Sequence, residues 1–386
     1  MGKLIMKTKA RVIAFYLPQY HPTEINDKYW GKGFTEWTNV AKARPLYKGH
    51  YQPQIPADLG FYDLRLPEVR LAQAEMAHEA GIEGFCYWYY WFGNGVKTLE
   101  MPINEVIRTH EPDFPFCIGW ANHDWSNKTW QKNSAFAETV TFLKQEYLGR
   151  DDYVAFFNEI KPALTDERYI RIDNKPVFYI FDAESVPDFD VLKDTFNTLA
   201  RENGLDGIYF IGRADPVGKI HAGKMKQQLA EAPERYKKLL DMGYDALNSA
   251  STRRAELAAG GMMSKIICGL REKLTGYSMH RYDYEKLMDC YYMPEDKLEY
   301  VYPQVIPRKD KTPRQGRNAL LYSGSTPERF RSVLRRALKC VEGRDYEHRI
   351  IFLNAWNEWG EGMYMEPDLK FGHGYLDALK AEICDE

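Results

Sequence analysis

Residues 350–368 read IIFLNAWNEWGEGMYMEPD, an apolar run that changes abruptly into polar and aromatic residues. The run Ile350–Ala355 has the length and composition of a buried β-strand. Seven other short apolar runs precede it along the chain, and amphipathic helical stretches separate them. This alternation predicts a parallel sheet whose strands are joined by helices.

The eight runs together predict a closed barrel. The predicted strands are Val12–Leu17, Gly84–Tyr89, Phe116–Ala121, Val177–Phe181, Ile208–Gly212, Ala246–Ser249, Tyr300–Ile306 and Ile350–Ala355. Two of the predicted helices carry clear boundary signals: Leu66–Ala80 is followed by a glycine, and Thr326–Val341 begins with Thr-Pro-Glu. Eight strand–helix units predict an α/β protein with a single (β/α)8 TIM barrel.

The length of 386 residues fits either two domains or one barrel with long loops. No repeat, low-complexity tract or Pro/Gly-rich linker divides the chain, so we expect one domain over residues 1–386, with residues 1–10 as a flexible N-terminal extension. Two long insertions, Pro18–Gly60 and Thr252–Glu299, follow the first and sixth predicted strands. We expect both on the C-terminal face of the barrel, where loops after strands build active sites.

Composition excludes several classes of function. The net charge of -3, with no basic stripe, argues against a nucleic-acid partner. No apolar segment has the length of a signal peptide core or a membrane span, so we expect no integral membrane segment. The six cysteines are scattered and lack zinc spacing, which favours a reduced, cytoplasmic protein without a metal site. Dinucleotide, P-loop and serine-hydrolase motifs are absent, so we expect no cofactor. The oligomeric state stays open.

Two carboxylates stand out at the exit of the last predicted strand. Glu358 and Glu361 are three residues apart, so in a helical or turn-like segment both reach one substrate. Glycoside cleavage needs two such groups, one of which protonates the departing oxygen. Gly360 and Gly362 allow close approach of the backbone. The alternative interpretation is a solvated loop with an acidic helix cap. At the end of a barrel strand, the pair is the predicted catalytic site.

Aromatic and hydrogen-bonding side chains cluster near the ends of the first, second, third and eighth predicted strands. Aromatic rings stack on sugars, and Asn and Asp side chains fix the directions of hydroxyl groups. The predicted substrate-binding residues are Tyr16, Tyr20, His21, Trp37, Trp88, Tyr90, Trp120, Asn122, His123, Asp124, Trp125, Asn354, Trp356, Asn357, Trp359 and Glu366. For single members the alternative is a core or turn role. Glu36 is an additional candidate acid.

Two other charged patterns favour structural roles. Asp188-Phe189-Asp190 has the spacing of a metal-binding DxD motif, but it precedes a helical pattern and is typical of a helix N-terminus. A basic stretch in the second insertion favours a solvated helical face, with a contact to phosphate or an acidic sugar as the alternative. Its members are Arg253, Arg254, Lys265, Arg271 and Lys273.

Three stretches carry a family resemblance. They are VIAFYLPQYHPTEINDKYWGKGFTEWTNV at 12–40, GFCYWYYWFGNG at 84–95 and FLNAWNEWGEGMYMEPD at 352–368. They resemble the WbsX-like family, which is found with lipopolysaccharide O-antigen and capsule genes and is related to glycoside hydrolase family 99. The resemblance covers nearly the whole chain and implies a TIM barrel.

The similarity to family 99 is closest in Asn357–Gly362, although the family motif commonly has His where this chain has Gly360. Family 99 comprises retaining endo-acting mannosidases and mannanases that need no metal. The resemblance implies that Glu358 is the base that removes a sugar 2-hydroxyl proton and that Glu361 is the general acid/base. Since an acid must hold a proton at working pH, we expect the pKa of Glu361 to lie above that of Glu358.

The sequence therefore predicts a carbohydrate-active enzyme that cleaves or transfers glycosidic bonds of a mannan-like or bacterial surface polysaccharide. WbsX-like members are labelled glycosyltransferases mostly from the genes around them, so a glycosyltransferase of O-antigen or capsule biosynthesis is the main alternative. Paired glutamates without a nucleotide motif favour hydrolysis or transglycosylation. A catalytically silent carbohydrate-binding barrel is the third alternative.

Overall fold

Eight parallel strands close into a barrel in the computed structural model of the chain, which describes residues 7–127, 140–217, 231–277 and 279–385. The barrel strands are β1 (Arg11–Tyr16), β2 (Gly84–Trp91), β3 (Phe116–Trp120), β4 (Lys175–Ile180), β5 (Tyr209–Ala214), β6 (Ala246–Ser249), β7 (Val301–Val305) and β8 (Ile350–Leu353). Each pairs with its neighbours in chain order, and β1 closes the barrel by pairing with β8 as well as β2. The predicted barrel is confirmed, with small shifts at the strand ends.

A helix follows every barrel strand. The helices are α1 (Pro67–Glu79), α2 (Met101–Thr109), α3 (Arg150–Leu164), α4 (Phe189–Glu202), α5 (Ala232–Asp241), α6 (Thr252–Thr275), α7 (Pro327–Val341) and α8 (Gly374–Ile383). The boundary signals act as predicted: Gly81 takes a left-handed φ of 86° after α1, and the Thr326 side chain accepts a hydrogen bond from the Arg329 amide at the start of α7.

Aromatic rings fill the barrel interior. Phe15 of β1 stacks on Trp88 of β2 at a centroid distance of 4.7 Å and on Phe352 of β8 at 5.3 Å. Cys86 and Cys117 lie opposite each other on β2 and β3 and are fully buried, as expected of small core residues. Every residue of β1 is buried, which explains why parallel barrel strands read as continuous apolar runs.

The first insertion, Pro18–Gly60, packs against the segment after β8. It contains two short helices, Glu24–Trp30 and Trp37–Lys42. Backbone hydrogen bonds join Ala57 to Pro367 at 2.9 Å and Leu369 to Ile55 at 3.0 Å. The insertion therefore lies at the C-terminal end of the barrel, as predicted.

The second insertion contributes to a small sheet that the sequence did not predict. The first strand of this sheet lies between α6 and a short helix at Tyr284–Asp289, and its other two strands follow β7. Strand His280–Asp283 pairs in parallel with Leu320–Ser323, which pairs antiparallel with Lys309–Asp310. This sheet fixes the charged segment that follows β7.

Residues 7–10 are not a free extension, in contrast to our expectation. The Lys9 amide donates to the Ile383 carbonyl at 2.8 Å, and the Asp385 amide donates to the Lys7 carbonyl at 3.0 Å. These backbone hydrogen bonds tie the start of the chain to the end of α8. Residues 1–6 of the expected extension lie outside the described residues.

The two charged patterns have the helical roles that we predicted. Asp188 directly precedes α4, Asp190 lies in its first turn, and the Asp188 carboxylate accepts a hydrogen bond from the Tyr153 hydroxyl. The basic stretch lies in α6, where the Arg254 side chain donates to the Cys290 carbonyl at 2.8 Å. Among the helices of the described ranges, none has the length and apolarity to span a membrane.

Candidate active site

A tight hairpin after β8 carries the two predicted catalytic carboxylates. Asn357–Glu358 pairs antiparallel with Met363–Tyr364, and Trp359–Glu361 forms a single 3-10 turn between them. Glu358 and Glu361 thus lie at the two ends of one turn, which confirms the turn-like segment expected from their spacing. Their side chains are 12% and 13% exposed, so both keep some surface that a ligand could contact.

One guanidinium contacts three glutamates. Arg314 binds Glu36 through Nε to Oε1 at 2.9 Å and through Nη2 to Oε2 at 3.1 Å. Its Nη1 donates to Glu361 Oε1 at 2.8 Å, and its Nη2 lies 3.0 Å from Glu358 Oε2. The Glu36 side chain is fully buried, so removing either member of its pair with Arg314 would leave an uncompensated buried charge.

The two catalytic candidates differ in their surroundings. Lys311 Nζ lies 2.8 Å from Glu361 Oε2, which gives Glu361 a second cation. Burial opposes ionisation of Glu361, but Lys311 and Arg314 outweigh it and lower its pKa to about 2. Burial, helped by Glu361 and Glu36 against the opposing effect of Arg314, raises the pKa of Glu358 to about 7. The expectation that Glu361 has the higher pKa is wrong, because Lys311 forms an ion pair with Glu361 and acts on Glu358 only from a greater distance.

The two glycines of the turn are required by close packing against protein groups. A Cβ atom on Gly360 would lie 1.7 Å from Glu36 Oε1 and 2.8 Å from Arg314 Nε. Gly362 has a φ of 60°, and its Cβ would lie 2.7 Å from the Asp310 amide nitrogen. The close approach predicted at these glycines therefore exists. At Gly360 the neighbouring space is filled by the Glu36 carboxylate.

The Glu366 carboxyl fixes the position of the turn through hydrogen bonds. Its Oε1 accepts a hydrogen bond from Gln73 at 2.7 Å, and its Oε2 accepts from the Tyr62 hydroxyl at 3.0 Å and from Trp359 Nε1 at 2.5 Å. The carboxyl is 1% exposed, and burial raises its pKa to about 7. Glu366 therefore positions Trp359 from inside the protein.

Asn357 and Tyr20 tie the hairpin to the loop after β1. The Asn357 side chain accepts from the Leu17 amide at 2.7 Å and donates to the Leu17 carbonyl at 3.0 Å. The Tyr20 hydroxyl donates to the Asn357 carbonyl and accepts from the Trp359 amide. These bonds fix the backbone on which Glu358 is carried.

Most of the predicted sugar-binding residues are buried. Eleven of them are less than one-tenth exposed, namely Tyr16, Tyr20, His21, Trp37, Trp120, Asn122, Trp125, Trp356, Asn357, Trp359 and Glu366. Protein atoms already bond some of their polar groups: Trp120 Nε1 donates to the Trp91 carbonyl at 2.9 Å, and the Asn122 side-chain oxygen accepts from the Asp182 amide at 2.7 Å. These eleven residues therefore expose little surface, and their contact with a substrate stays a prediction.

The other predicted contacts keep exposed surface. Trp88, Tyr90, His123 and Asn354 are partly exposed, and Asp124 is exposed. Burial and the nearby Glu358 carboxylate raise the pKa of Tyr90, which places the Tyr90 hydroxyl within electrostatic reach of the catalytic candidate. Asp124 accepts from the Gln145 amide at 2.8 Å, so it also stabilises a turn.

Sequence reasoning missed two partly exposed residues beside the predicted sugar-binding residues Trp88 and His123. The Phe181 ring lies 5.3 Å from His123 and 5.5 Å from Trp88, and the Arg213 guanidinium stacks on it at 4.6 Å. Phe181 directly follows β4, and Arg213 lies near the end of β5. The strand-end rule, applied to these two strands as well, would have found both.

Sequence reasoning also missed the cations that follow β7. Lys309, Lys311 and Arg314 lie in the stretch RKDKTPR, directly after the seventh predicted strand. Lys309 Nζ lies 3.8 Å from Glu256 Oε1 and 3.5 Å from the Tyr322 hydroxyl. Burial lowers the pKa of Lys309 to about 8. The same strand-end signal was present here, but it was not applied to this loop.

Comparison with known proteins adds family and fold. Residues 12–379 match the family model described as Glycosyltransferase WbsX. The uncharacterized protein WxcX of Xanthomonas campestris pv. campestris, in strains B100 and ATCC 33913, is 33% identical over 377 residues, which cover 97% of this chain and 50% of the relative. The chain thus spans about half the length of the curated relatives it matches.

Two solved structures share the architecture. A glycoside hydrolase-like protein has a TM-score of 0.61 at 15% identity, covering 100% of this chain and 98% of the other. The glycoside hydrolase family 99 endo-alpha-mannosidase from Bacteroides thetaiotaomicron, in complex with Bis-Tris-propane, has a TM-score of 0.53 at 13% identity, covering 96% and 95%. At these identities the likeness shows the fold. The match over residues 12–379 shows that the chain belongs to the family described as Glycosyltransferase WbsX.

Proposed function

We propose that this chain cleaves or transfers glycosidic bonds, with Glu358 as general acid/base and Glu361 as the ionised partner. One observation supports this most strongly: the two carboxylates contact the same guanidinium, yet only Glu361 has a second cation at 2.8 Å. At neutral pH, Glu358 holds a proton in a large share of the molecules and Glu361 does not. This is the division of roles that glycoside cleavage needs.

The reaction that follows is balanced in protons. Glu358 donates its proton to the glycosidic oxygen as the bond between that oxygen and the anomeric carbon breaks. The Glu361 carboxylate stabilises the positive charge that develops at the anomeric carbon. Water or an acceptor hydroxyl then bonds to the anomeric carbon and gives its proton to the Glu358 carboxylate. Water as acceptor completes hydrolysis, and a sugar hydroxyl completes transglycosylation.

This assignment reverses the roles that the family 99 resemblance implied. To act as an acid, Glu361 would have to take a proton while it contacts Lys311 and Arg314, and both cations oppose that protonation. Glu36 also favours the reversed roles, because it shares the charge of Arg314 and so reduces the stabilisation of a Glu358 anion. Retention of anomeric configuration enters the proposal from the resemblance alone.

A group of partly exposed aromatic residues provides a sugar platform. Trp88, Phe181 and His123 present ring surfaces near each other, and Tyr90 lies towards Glu358. Rings of this kind stack on sugar faces. Arg213, held on the Phe181 ring, adds hydrogen-bond donors. As substrate we propose a mannan-like or bacterial surface polysaccharide, on the basis of the resemblance and of the endo-alpha-mannosidase that shares the fold.

A second candidate is glycosyl transfer from an activated donor. The description of the family as glycosyltransferases favours it. In that case the sugar would arrive on a phosphate leaving group, and the cations after β7 would have to bind that phosphate. The two candidates differ in the donor that they require.

The experiment presents both kinds of donor to the purified chain. One arm contains α-mannan and O-antigen oligosaccharides, and the other contains nucleotide sugars with the same oligosaccharides as acceptors. We expect shortened or rearranged glycans in the first arm without any nucleotide, with the product anomer followed by NMR. The exposed control Glu285→Gln should keep this activity. Turnover in the second arm alone would support the second candidate. Binding without turnover, unchanged in Glu358→Gln and Glu361→Gln, would support a carbohydrate-binding barrel.

A further inference from the structure

A cavity lies beside the hairpin that carries Glu361. It has a volume of about 190 Å³ and opens between residues 47–54 of the first insertion and the small sheet. We call it the sheet-edge cavity. Glu358 and Glu361 do not line it, but Gly362 and Lys309 do, so it is adjacent to the active site. Its lining residues used below are Tyr47, Lys48, Gln54, Arg281, Lys309 and Lys370.

The cavity carries an excess of positive charge. Its one lining carboxylate, Asp310, is already bound by His50 at 2.7 Å and Gln52 at 2.9 Å. Arg281 lies over the Tyr47 ring at 4.5 Å, and Lys370 lies over the Tyr51 ring at 5.0 Å. Within the described part of the chain, neither cation has a carboxylate partner. Cations held on aromatic rings around a cavity form a binding surface for an anion.

Two buried cations line this cavity: Arg308, which is paired with Asp368 at 2.6 Å, and Lys309. The exposure of Lys309 is 8%, while its nearest carboxylate oxygen, on Glu256, is 3.8 Å away. A buried ammonium group with such long contacts is only partly compensated. Burial accordingly lowers the pKa of Lys309 to about 8. An anion bound in the cavity would supply the missing compensation.

Gln54 points to a hydroxyl-bearing ligand. It lines the cavity at 7% exposure, and its carboxamide oxygen has no hydrogen-bond partner among the residues that the structure describes. A buried acceptor without a donor costs free energy, and a ligand hydroxyl can remove that cost. The Tyr47 ring adds an apolar surface of the kind that sugars contact.

We propose that the sheet-edge cavity binds the anionic group, phosphate or carboxylate, of a substituted sugar. The anion is inferred from the charges, and the choice of a sugar as its carrier rests on the proposed function. The volume lies below the ~300 Å³ of the smallest typical ligand pockets, which suits one sugar residue rather than a polymer. An acidic residue of the glycan would then be recognised beside the catalytic hairpin.

Calorimetric titration of the full chain tests this site without using turnover. The probes are inorganic phosphate, a hexose 6-phosphate, a hexuronate, the neutral hexose and uridine diphosphate. We expect the hexose 6-phosphate and the hexuronate to bind at least ten-fold more tightly than the neutral hexose, with affinities that fall as salt rises. Arg281→Gln and Lys370→Gln should each weaken these anions about ten-fold. Gln54→Leu should weaken the hexose 6-phosphate more than inorganic phosphate.

Arg317→Gln is the matched control, because Arg317 also lies over a tyrosine ring, that of Tyr277 at 5.4 Å, but does not line the cavity. It should leave all affinities unchanged. Absence of anion binding, equal binding of charged and neutral hexoses, or equal losses in Arg281→Gln and Arg317→Gln would overturn the proposal. If uridine diphosphate binds ten-fold more tightly than hexose 6-phosphate, the proposal that a sugar bears the anionic group is overturned and a nucleotide is favoured. Because only binding is measured, any of these results leaves the proposed function standing.

Discussion

Replacing Gly360 by Ala tests the packing of the three glutamates around Arg314. The new methyl carbon would lie 1.7 Å from Glu36 Oε1, 2.6 Å from Glu36 Cδ and 2.8 Å from Arg314 Nε, all closer than side chains pack. The Glu36 carboxylate must therefore move and release its two hydrogen bonds to Arg314. Disrupting a buried ion pair costs ~3–5 kcal/mol. We expect Gly360→Ala to lower the free energy of unfolding by an amount in this range.

The assay is urea unfolding of a double-mutant cycle. In a Glu36→Ala background the contact with the carboxylate is gone and the contact with Arg314 Nε at 2.8 Å remains, so Gly360→Ala should there cost roughly 1–3 kcal/mol less than in the native chain. Gly269→Ala is the control, because a Cβ at this helical position meets no atom within 4 Å. It should be neutral or stabilise by about 0.5–1 kcal/mol. Equal costs of Gly360→Ala in both backgrounds would refute the reasoning, since they would show that Glu36 does not limit the space at residue 360.

Two further predictions concern protonation. The folded pKa of Glu358, about 7, is raised above the ordinary value, so the stability linked to its protonation is complete at low pH and is lost as pH rises through 7. Because Gln cannot ionise, the free energy of unfolding of Glu358→Gln, measured with urea relative to the native chain, should rise by about 2 kcal/mol between pH 5 and pH 8. A difference in unfolding free energy that does not change with pH would contradict the raised pKa of Glu358. Lys311→Met removes a cation that lowers the pKa of Glu361, so the acid limb of the pH–rate profile should move to higher pH, whereas the exposed control Lys286→Met should not move it. Identical acid limbs in both variants would show that Lys311 does not set the charge of Glu361.

The barrel could be predicted because its strands are buried on both faces. Such strands appear in the sequence as short apolar runs, and even the four-residue strand β6 was found at its predicted bounds. The small sheet could not be predicted in the same way. Its strand Lys309–Asp310 has two charged residues, and only its contacts with the rest of the fold give it a partner.

The candidate site was predicted only in part. Glu358 and Glu361 follow an apolar run, so strand position identified them. Arg314 lies 278 residues from Glu36 along the chain, and no local pattern shows that they are in contact. The order of the two pKa values depends on Arg314 and Lys311, so it could not be obtained from the spacing of the glutamates.

Aromatic residues show a second limit of the sequence. Trp356 and Trp359 flank Glu358, which suggested sugar stacking, but both are fully buried. Alternation and turn geometry decide which rings face the cleft and which face the core, and the sequence near a strand end does not fix the turn. Trp88 kept partial exposure because it lies on the inner side of β2 near the barrel mouth, where it stacks on Phe15.

The central claim is that Glu358, not Glu361, protonates the leaving group, and the most direct test is to measure Glu358→Gln and Glu361→Gln on two substrates. One substrate is a natural oligosaccharide with a poor leaving group, and the other is an activated aryl glycoside that hardly needs protonation. With folding verified by thermal melts, Glu358→Gln should lose about 10²–10⁴-fold in turnover of the oligosaccharide and far less in aryl release, while Glu361→Gln should lose activity on both. The reverse pattern, with aryl release spared in Glu361→Gln instead, would contradict the assignment. Equal, modest losses in both variants on both substrates would show that these carboxylates only bind.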